Sequence, residues 1–586
     1  MKAAPGSASL HFDMPVPMRD GVTLYADVYI PEGSGPFPAL LTRTPYDKSS
    51  ALTAAAPSSE VGSVLGLTRR GFAVVVQDTR GRYRSEGEFV PFVHEANDGF
   101  DSVEWVAAQS WSDGNVGMFG SSYVGATQWL AATERPPHLR AIFPAVTASD
   151  YHEGWTYQGG AFQLGFNFSW TMAALTVRNA GNLASRLGLD VERLEEMIDD
   201  TDRLDEGFKS LPLINQPALR MDEAGYYFDW LSHPSDDDFW KRLRIEDQHE
   251  NVNVPSLNIG GWHDIFLRGT IRNFLGMRER GGSETAKRES RLVIGPWSHY
   301  GIGGSTAGTL DFGLRASMHG LDLGGMLASW GAQWLKDDAA PNPDTPPVKL
   351  FIMGVNRWRD ENEWPLARAR RTRYHLHSGG RANTRHGDGV LSTAAPDDER
   401  PDSFLYNPLD PAPTRGGPLC CSPSFLPAGP MDHAEKEDRS DVLVYSTPPL
   451  EEDVEVTGPV KAIVWAASSA VDTDFTAMLL DVEPCGAARN LCDGIVRARY
   501  RRSRSTPELL EPGRVERFEI DLVATANVFQ KRHRIRLEIS SSNFPRFDRN
   551  LNTGKGFDDA EVAVAANTVL HDADHPSYLE LDVVPR

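Results

Sequence analysis

One short segment of the sequence places a serine where its hydroxyl could become a nucleophile. The segment Gly120-Ser121-Ser122-Tyr123-Val124-Gly125 follows an apolar run typical of a buried strand and precedes a helical pattern. A serine hydroxyl is a weak nucleophile unless a tight turn exposes it and a base accepts its proton. The G-x-S-x-G pattern of such turns fits Ser122, except that Val124 stands where the second glycine is expected. Ser121 is the alternative nucleophile, but the residue two before it is Phe119, so we favour Ser122.

Two later segments end in residues that could activate this hydroxyl. Gly260-Gly261-Trp262-His263-Asp264 and Gly295-Pro296-Trp297-Ser298-His299 each follow a predicted strand. The order Ser, Asp, His along the chain is the order found in α/β-hydrolases. We therefore expect His299 to take the Ser122 proton and Asp264 to orient the imidazole. Most of the 16 histidines are expected to be structural or solvated, and His263 competes for the role only by neighbouring Asp264.

The elements that must position these residues follow from the hydrophobic pattern. Short apolar runs predict strands at 39–42, 72–77, 116–119 and 141–143, and helical spacing covers 97–109 and 123–133. Strands alternating with helices indicate a mostly parallel sheet with helices on both faces. The alternation stops near Ala145 and returns with strands at 255–260 and 291–295. The aromatic-rich, helix-like stretch between them is best explained as a cap over the carboxyl ends of the strands, where ligands bind.

The pattern changes again after residue 337. Asp337–Pro347 contains four prolines in eleven residues and is predicted to be a stiff linker. Beyond it, apolar residues alternate with charged ones around Ile520, Leu537 and Leu581, which predicts an antiparallel β-sandwich. We therefore divide the chain into a first hydrolase part at 1–146, a cap at 147–245, a second hydrolase part at 246–340 and an all-β C-terminal domain at 341–586.

Composition narrows the function classes. The 586 residues carry a net charge of −22, which repels nucleic acid and anionic membrane surfaces. No apolar stretch is long enough to span a bilayer and the N-terminus lacks a secretory pattern, so we expect a cytoplasmic protein. The four cysteines are best explained as small buried or surface thiols, with the redox state of Cys420 and Cys421 left open. They predict neither a disulfide framework nor a metal site. We expect no cofactor, and a homodimer stays open.

Taken together, several motifs resemble one known family. They are Arg43-Thr44-Pro45-Tyr46, the segments around Ser122, Asp264 and His299, Ala470–Thr476 and Ser541–Arg546. The chain resembles the cocaine-esterase-like (CocE/NonD) hydrolases over nearly its whole length. That group also contains glutaryl-cephalosporin acylases, α-amino acid ester hydrolases and X-prolyl dipeptidyl peptidases. Its G-x-S-Y-x-G form accommodates Val124, because Tyr123 and Gly125 fit it.

The resemblance also implies an architecture and further site residues. It implies an α/β-hydrolase domain, an inserted helical cap and a jelly-roll-like C-terminal domain. The oxyanion hole would consist of the Tyr46 hydroxyl and the Tyr123 backbone N–H. On the sequence alone, Tyr46 would rather be a packing aromatic.

The substrate pocket is a third implication of the resemblance. Trp155, Trp170 and Phe266 match the aromatic walls of an acyl pocket, although these rings could equally belong to the core of the cap. Leu419-Cys420-Cys421 stands where the family has a bulky wall, so a cocaine substrate is not implied.

These features favour a serine hydrolase that cleaves carboxylic esters through an acyl-enzyme on Ser122. Ile265, Phe266 and Leu267 follow Asp264 and offer no carboxylate for a substrate ammonium, which disfavours an α-amino acid ester hydrolase and weakens a dipeptidyl-peptidase function. An amidase, a β-lactam-side-chain acylase or an X-Pro dipeptidyl-peptidase-like enzyme with the same triad is the first alternative. A non-catalytic carbohydrate- or partner-binding protein is the alternative from another class.

Overall fold

The structure is a computed structural model that describes residues 8–49, 63–179, 190–219, 224–336 and 345–585. The first part of the chain forms strands and helices in alternation. The strands are β1 (Ala8–Pro17), β2 (Thr23–Pro31), β3 (Phe37–Thr44), β4 (Ala73–Asp78), β5 (Ser112–Ser121) and β6 (Leu139–Ala145). The helices are α1 (Val64–Arg69), α2 (Glu95–Ala107) and α3 (Tyr123–Thr133). Strand β4 is buried along its whole length, as expected for a parallel strand covered on both faces.

The chain then leaves the sheet and forms the cap. It contains a short hairpin of β7 (Tyr157–Gln158) and β8 (Ala161–Phe162) and a set of mostly short helices. The helices are α4 (Leu164–Ser169), α5 (Val191–Asp202), α6 (Leu204–Lys209), α7 (Gly225–Ser232) and α8 (Asp238–Lys241). A π-helical segment at Trp170–Thr176 continues α4, and such segments are frequent at functional sites.

The sheet resumes after the cap. Its later elements are β9 (Leu257–His263), α9 (Leu267–Arg280), α10 (Glu284–Glu289), β10 (Arg291–Ser298), α11 (Leu323–Leu335), β13 (Val348–Ile352) and β14 (Arg357–Glu361), with a small hairpin of β11 (Thr306–Ala307) and β12 (Leu310–Asp311). The ten-stranded sheet has the order β1-β2-β4-β3-β5-β6-β9-β10-β13-β14. Strands β4 to β13 along this order are parallel, and the strands outside them pair antiparallel.

The predicted domain boundary at residue 341 does not coincide with the change of sheet. Strand β13 pairs in parallel with β10, and β14 pairs antiparallel with β13, so both extend the hydrolase sheet. The C-terminal sheet begins only with β15, at Arg370. A linker-like composition marks a loop and does not indicate which sheet the next strand joins. Residues 337–344 of that segment lie outside the described residues.

The C-terminal domain is all β. Its strands are β15 (Arg370–His377), β16 (Val390–Ser392), β17 (Asp402–Tyr406), β18 (Leu443–Ser446), β19 (Val454–Ser468), β20 (Asp474–Val482), β21 (Ala488–Arg497), β22 (Glu516–Phe529), β23 (Arg534–Ser540), β24 (Ala565–Leu570) and β25 (Tyr578–Val584). All pairings between these strands are antiparallel except β16 with β18. In β22, Phe518, Ile520 and Leu522 point into the core, as their period of two predicts.

The fold class predicted from the sequence is confirmed: an α/β-hydrolase domain with an inserted helical cap precedes an all-β domain. The cap is tied to the C-terminal domain by hydrogen bonds that its backbone N–H groups donate. Phe162 N–H donates to Asp548 Oδ1 at 2.7 Å, and Gly165 N–H donates to the Pro545 carbonyl at 2.8 Å. In the part of the chain that the structure describes, no helix combines the length and apolar character needed to cross a bilayer.

Candidate active site

Three side chains that are far apart in sequence meet at one edge of the central sheet. His299 Nδ1 lies 2.7 Å from Asp264 Oδ1, and His299 Nε2 lies 3.0 Å from Ser122 Oγ. A carboxylate only accepts hydrogen bonds, so Nδ1 carries the proton and Nε2 is left to accept from the serine hydroxyl. Asp264 is 2% and His299 5% exposed, so the chain of hydrogen bonds is shielded from water. This arrangement can make a serine hydroxyl nucleophilic.

Strand register explains why the three residues converge. In the parallel pair β5–β6, Ser121 lies opposite Ala145, and in β9–β10, His263 lies opposite Ser298. Parallel strands in register end at the same edge of a sheet. The residue that follows each of β5, β9 and β10 is Ser122, Asp264 and His299 respectively, and these side chains therefore project from one edge.

Backbone strain exposes Ser122. Its φ of 61° and ψ of −125° lie in a region that side-chain-bearing residues rarely occupy. Glycines make the turn sterically feasible: a Cβ on Gly120, which has φ of 142°, would lie 2.2 Å from Val124 Cγ1. A Cβ on Gly125 would lie 2.8 Å from Thr147 Cβ. The second glycine of this turn is therefore needed at 125, where α3 passes the chain leaving β6, and Val124 is tolerated.

The other two strand ends are held by tryptophans. Trp262 Nε1 donates to the Phe351 carbonyl at 2.7 Å, and Trp297 Nε1 donates to the Ala316 carbonyl at 2.8 Å. The glycine before Trp262 lets the two strands approach closely, because a Cβ on Gly261 would lie 2.2 Å from the Trp297 carbonyl oxygen. The loops that carry Asp264 and His299 thus start from fixed points.

Asp264 is itself held by the start of the next element. Its Oδ2 accepts from the Phe266 backbone N–H at 3.0 Å, while Oδ1 faces His299. Its backbone N–H donates to the Gly261 carbonyl at 3.0 Å. Both carboxylate oxygens therefore have partners, which fixes the plane of the carboxylate relative to the imidazole.

Of the two residues expected at the oxyanion hole, Tyr123 belongs to this turn and Tyr46 is hydrogen-bonded to Trp170 of the cap. Tyr123 is the first residue of α3, where backbone N–H groups have no acceptor within the helix. The phenol oxygen of Tyr46 accepts a hydrogen bond from Trp170 Nε1 at 2.9 Å. A phenol that accepts one hydrogen bond can still donate its own proton. Trp170, predicted as a pocket wall, therefore also orients Tyr46.

A buried ionic chain beneath the turn was not found by sequence reasoning. The Tyr123 hydroxyl donates to Glu95 Oε1 at 2.9 Å and accepts from the Phe92 N–H at 3.0 Å. Arg43 binds Glu95 Oε2 at 2.7 Å and Gln77 Oε1 at 2.7 Å. Burial raises the pKa of Glu95, against the opposing charge of Arg43. Arg43 belongs to the Arg-Thr-Pro-Tyr motif, and this motif was the sequence signal that could have indicated the ion pair. A buried arginine in that motif requires a buried carboxylate partner.

The loop that carries Tyr46 is anchored to the end of β4. Lys48 N–H donates to Asp78 Oδ1 at 2.7 Å, and Tyr46 N–H donates to Thr44 Oγ1 at 3.0 Å. Burial raises the pKa of the Asp78 carboxyl to about 7, although the Lys48 amide and ammonium lower it. This carboxyl titrates near neutral pH and holds the loop that positions a predicted oxyanion donor.

The three predicted pocket aromatics form one cluster. The rings of Trp155 and Phe266 are stacked with centroids 4.4 Å apart, and Trp155 meets Trp170 edge-on at 5.5 Å. Phe266 also contacts the His299 ring edge-on at 5.2 Å. An aromatic acyl group cannot enter between Trp155 and Phe266 at this separation. It would pack along the side of the stack.

The cysteines differ from the thiols expected from the sequence. Cys420 and Cys421 form a disulfide between adjacent residues, and both belong to the apolar cluster that contains Trp155, Trp170 and Phe266. Cys485 is exposed and Cys492 buried, and both are free thiols. The sequence left the redox state of Cys420 open, because adjacency alone does not decide between two thiols and a disulfide.

His263, the competing histidine, does not join the hydrogen-bonded chain. Its ring stacks against Phe312 with centroids 6.1 Å apart. Burial lowers its pKa to about 3, so the ring is neutral at physiological pH. His263 is a packing residue of the second hydrolase part.

A serine, a histidine and a carboxylate joined in this way at the carboxyl edge of a mostly parallel sheet define a serine hydrolase with the α/β-hydrolase fold. Family models agree with this class. Residues 20–301 match the X-Pro dipeptidyl-peptidase (S15 family) model, and residues 343–580 match the model of the X-Pro dipeptidyl-peptidase C-terminal non-catalytic domain.

Individual proteins are similar over the whole chain. Cocaine esterase from Rhodococcus sp. (strain MB1 Bresler) is 39% identical over 593 residues, which cover 99% of this chain and 100% of that protein. An α-amino acid ester hydrolase structure shares 26% identity and a TM-score of 0.79, covering 100% of this chain and 98% of that one. An aminopeptidase structure from a marine sediment Thaumarchaeota archaeon shares the fold, with a TM-score of 0.80, 24% identity, and coverage of 99% and 97%. The chain therefore belongs to the cocaine-esterase-like (CocE/NonD) hydrolases of the S15 family, and it is a serine hydrolase that acts on esters.

The Asp78 carboxyl makes the free energy of unfolding depend on pH in a way that can be measured. Its folded-state pKa of about 7 lies above the unfolded value of 3.8, so the folded protein holds this proton more tightly. The resulting stabilisation is complete below the unfolded pKa and is lost as the pH rises through about 7. Asp78→Asn removes this contribution and keeps an oxygen that can accept from Lys48 N–H.

Urea unfolding of both proteins at pH 5 and pH 8 tests this. We expect the unfolding free energy of the wild type to fall more between these pH values than that of Asp78→Asn. Asp238→Asn, at a side chain that is 99% exposed, is the matched control and should behave like the wild type. Equal changes in the wild type and Asp78→Asn would contradict the assignment.

Proposed function

We propose that Ser122, His299 and Asp264 are the catalytic triad of this esterase. The observation that supports the proposal is the continuous hydrogen-bonded chain, with His299 joined to Ser122 at 3.0 Å and to Asp264 at 2.7 Å. Neutral His299 is an acceptor at Nε2, as a general base must be. Asp264 holds this tautomer and stabilises the imidazolium that forms.

The reaction proceeds in two halves. Ser122 Oγ attacks the ester carbonyl carbon as its proton passes to His299 Nε2, and the tetrahedral oxyanion forms. The C–O bond to the leaving group then breaks, and His299 delivers its proton to the departing alkoxide. Water, deprotonated by His299, attacks the acyl-enzyme in the same way and releases the carboxylic acid and the serine hydroxyl.

Two hydrogen-bond donors would stabilise the oxyanion. We assign them to the Tyr46 hydroxyl and the Tyr123 N–H. The contacts that support this are the Trp170 hydrogen bond to the Tyr46 oxygen and the anchoring of the Tyr123 ring by Glu95. Donors fixed before the reaction need no reorganisation as charge develops, and losing one typically reduces kcat by about 10²–10³.

The acyl group we propose is neutral and apolar or aromatic. Trp155, Trp170 and Phe266 present buried ring surface close to His299, which suits such a group. The disulfide Cys420–Cys421 lies in the same apolar cluster, and we assign it to the pocket wall on the side of the C-terminal domain. The alcohol part of the ester is not specified by these contacts.

Amide or dipeptide cleavage with the same triad is the second candidate, supported by the match to the S15 family model. A dipeptidyl peptidase needs a carboxylate to receive the substrate ammonium. Glu153, a buried carboxylate of the cap, lies 3.7 Å from Arg268 and 3.9 Å from Arg504 and accepts from the Gly159 N–H. Its charge is balanced within the protein, which favours an ester over a peptide substrate.

Two expectations from the sequence are carried forward as part of the proposal: a cytoplasmic location and a homodimer. The net charge of −22 supports solubility in the cell interior. The disulfide between adjacent cysteines is uncommon in a reducing compartment and is the observation that weighs against that location.

Replacing Ser122 by Ala tests the nucleophile. We expect kcat for a p-nitrophenyl ester to fall by about 10⁴-fold or more, because the attacking oxygen is gone, with little change in the urea midpoint. The matched control is Ser121→Ala, at the adjacent serine that sequence reasoning left as the alternative. A fluorophosphonate should label the wild type and Ser121→Ala but not Ser122→Ala.

The same assay separates the candidate functions when the p-nitroanilide of the same acyl group is run beside the ester. Faster turnover of the anilide would make an amide, and not an ester, the preferred substrate class. Wild-type activity in Ser122→Ala would exclude the triad. Absence of both labelling and turnover in the wild type would favour a non-catalytic binding protein.

Replacing Trp170 by Phe tests whether the indole orients Tyr46. The substitution keeps an aromatic ring but removes the N–H donor, so we expect kcat to fall about tenfold with a smaller change in KM. In a Tyr46→Phe background the same substitution should have little further effect on kcat, because the oriented hydroxyl is already absent. An equal loss in both backgrounds would show that Trp170 acts only as a wall.

A further inference from the structure

A second cavity, of about 450 Å³, lies between the cap and the C-terminal domain. Ser122, Asp264 and His299 do not line it. One wall comes from α4, α6 and the segments around them in the cap, and the other from the segment 544–559 of the C-terminal domain. Cavities of this volume commonly hold small organic ligands.

Part of the lining of this cavity is apolar. From the cap come Leu164, Phe208, Leu213 and Leu231, which are all buried, and from the C-terminal domain come the half-buried Phe544 and Phe557. These six side chains offer apolar surface for a hydrocarbon or aryl group. Burial of that surface by a ligand would be favourable by about 25 cal/mol per Å² of apolar area removed from water.

Most charged groups at this cavity are already balanced. Arg497 binds Asp474 and Asp548 at 2.9 and 3.0 Å, and Arg499 binds Asp472 at 2.7 Å. At the rim, the exposed Lys555 binds Glu561 at 2.6 Å and lies 3.6 Å from Asp559. None of these cations has to recruit a ligand anion.

Arg549 is different. Its half-buried guanidinium lies over the Phe544 ring, 5.0 Å from the centroid, and donates to the Lys209 carbonyl across the domain boundary. Among the described residues, no carboxylate lies within ion-pair distance of Arg549. Burial lowers its pKa, although Asp548 nearby has the opposite effect. Among the lining residues that the structure describes, Asp558 is the other charge without an ion pair, and it is exposed and therefore screened by solvent.

A planar guanidinium on the lining of a partly apolar cavity matches one ligand chemistry. We propose that the cavity binds a carboxylate with an apolar tail, such as a medium-chain fatty acid or an arylalkanoic acid. The carboxylate pairs with Arg549, whose fork of N–H donors suits two oxygens, and the tail lies against the cap. Because Arg549 already touches the Lys209 carbonyl, the ligand would bridge the cap and the C-terminal domain. The inference does not depend on the proposed catalytic residues.

Titration of decanoate, below its micellar concentration, into the full-length protein tests this site. The reactive serine, whichever residue it is, is first blocked with a fluorophosphonate, so that binding in the acyl pocket does not contribute. Isothermal titration calorimetry should show about one decanoate per chain. Arg549→Gln should weaken decanoate binding by about tenfold or more, which is the effect of losing a charged hydrogen-bond partner. Decanol, which lacks the charge, should bind both proteins with similar affinity.

Control variants distinguish the loss of the Arg549 charge at the cavity from a general effect of substitution on decanoate binding. Arg514→Gln removes an exposed arginine of the same domain away from the cavity and should leave decanoate binding unchanged. If Arg549→Gln fails to fold, Ile214→Glu, which places a negative charge in the apolar wall, should weaken decanoate binding instead. The proposal is wrong if the blocked protein does not bind decanoate, or if neither folded variant changes the affinity.

Discussion

The site depends on one imidazole being hydrogen-bonded at both of its nitrogens. His299 can serve Ser122 at Nε2 only while Asp264 accepts at Nδ1, and the two distances of 3.0 and 2.7 Å satisfy both conditions. The fold provides this by ending β5, β9 and β10 at the same edge of the sheet. The geometry of the proposed triad is therefore a consequence of strand register, and a shift of one residue in any of these strands would separate the three side chains.

Around the hydrogen-bonded Ser122, His299 and Asp264, the turn at Ser122 is strained and is held in place by neighbouring contacts. The unusual φ of Ser122 is stabilised by its N–H, which donates to the Ala145 carbonyl at 2.9 Å, and by α3 that follows it. The first residue of α3 is fixed through its phenol to Glu95, and Glu95 to Arg43. Breaking a buried ion pair on one side typically costs about 3–5 kcal/mol, so the arginine of the Arg-Thr-Pro-Tyr motif supports the turn from a neighbouring strand.

Local sequence was enough to predict the strand and helix at the turn, because glycine spacing and hydrophobic runs are local signals. The positions of Asp264 and His299 followed from chain order and strand ends. Contacts between distant segments were not predictable in this way. The Trp170–Tyr46 hydrogen bond joins the cap to the first hydrolase part. The sequence around each of these residues does not indicate its contact with the other. The pairing of β13 with β10 was missed for the same reason, since a proline-rich loop says nothing about the sheet beyond it.

The most direct test of the account is to trap the acyl-enzyme. The protein is mixed with a p-nitrophenyl ester, quenched in acid during turnover, and digested for mass spectrometry. The account predicts that the peptide containing Ser122 gains the mass of the acyl group, that fragmentation places it on Ser122, and that His299→Ala shows no such gain. An acyl group located on Ser121 or elsewhere, or turnover through a noncovalent path without any adduct, would contradict it.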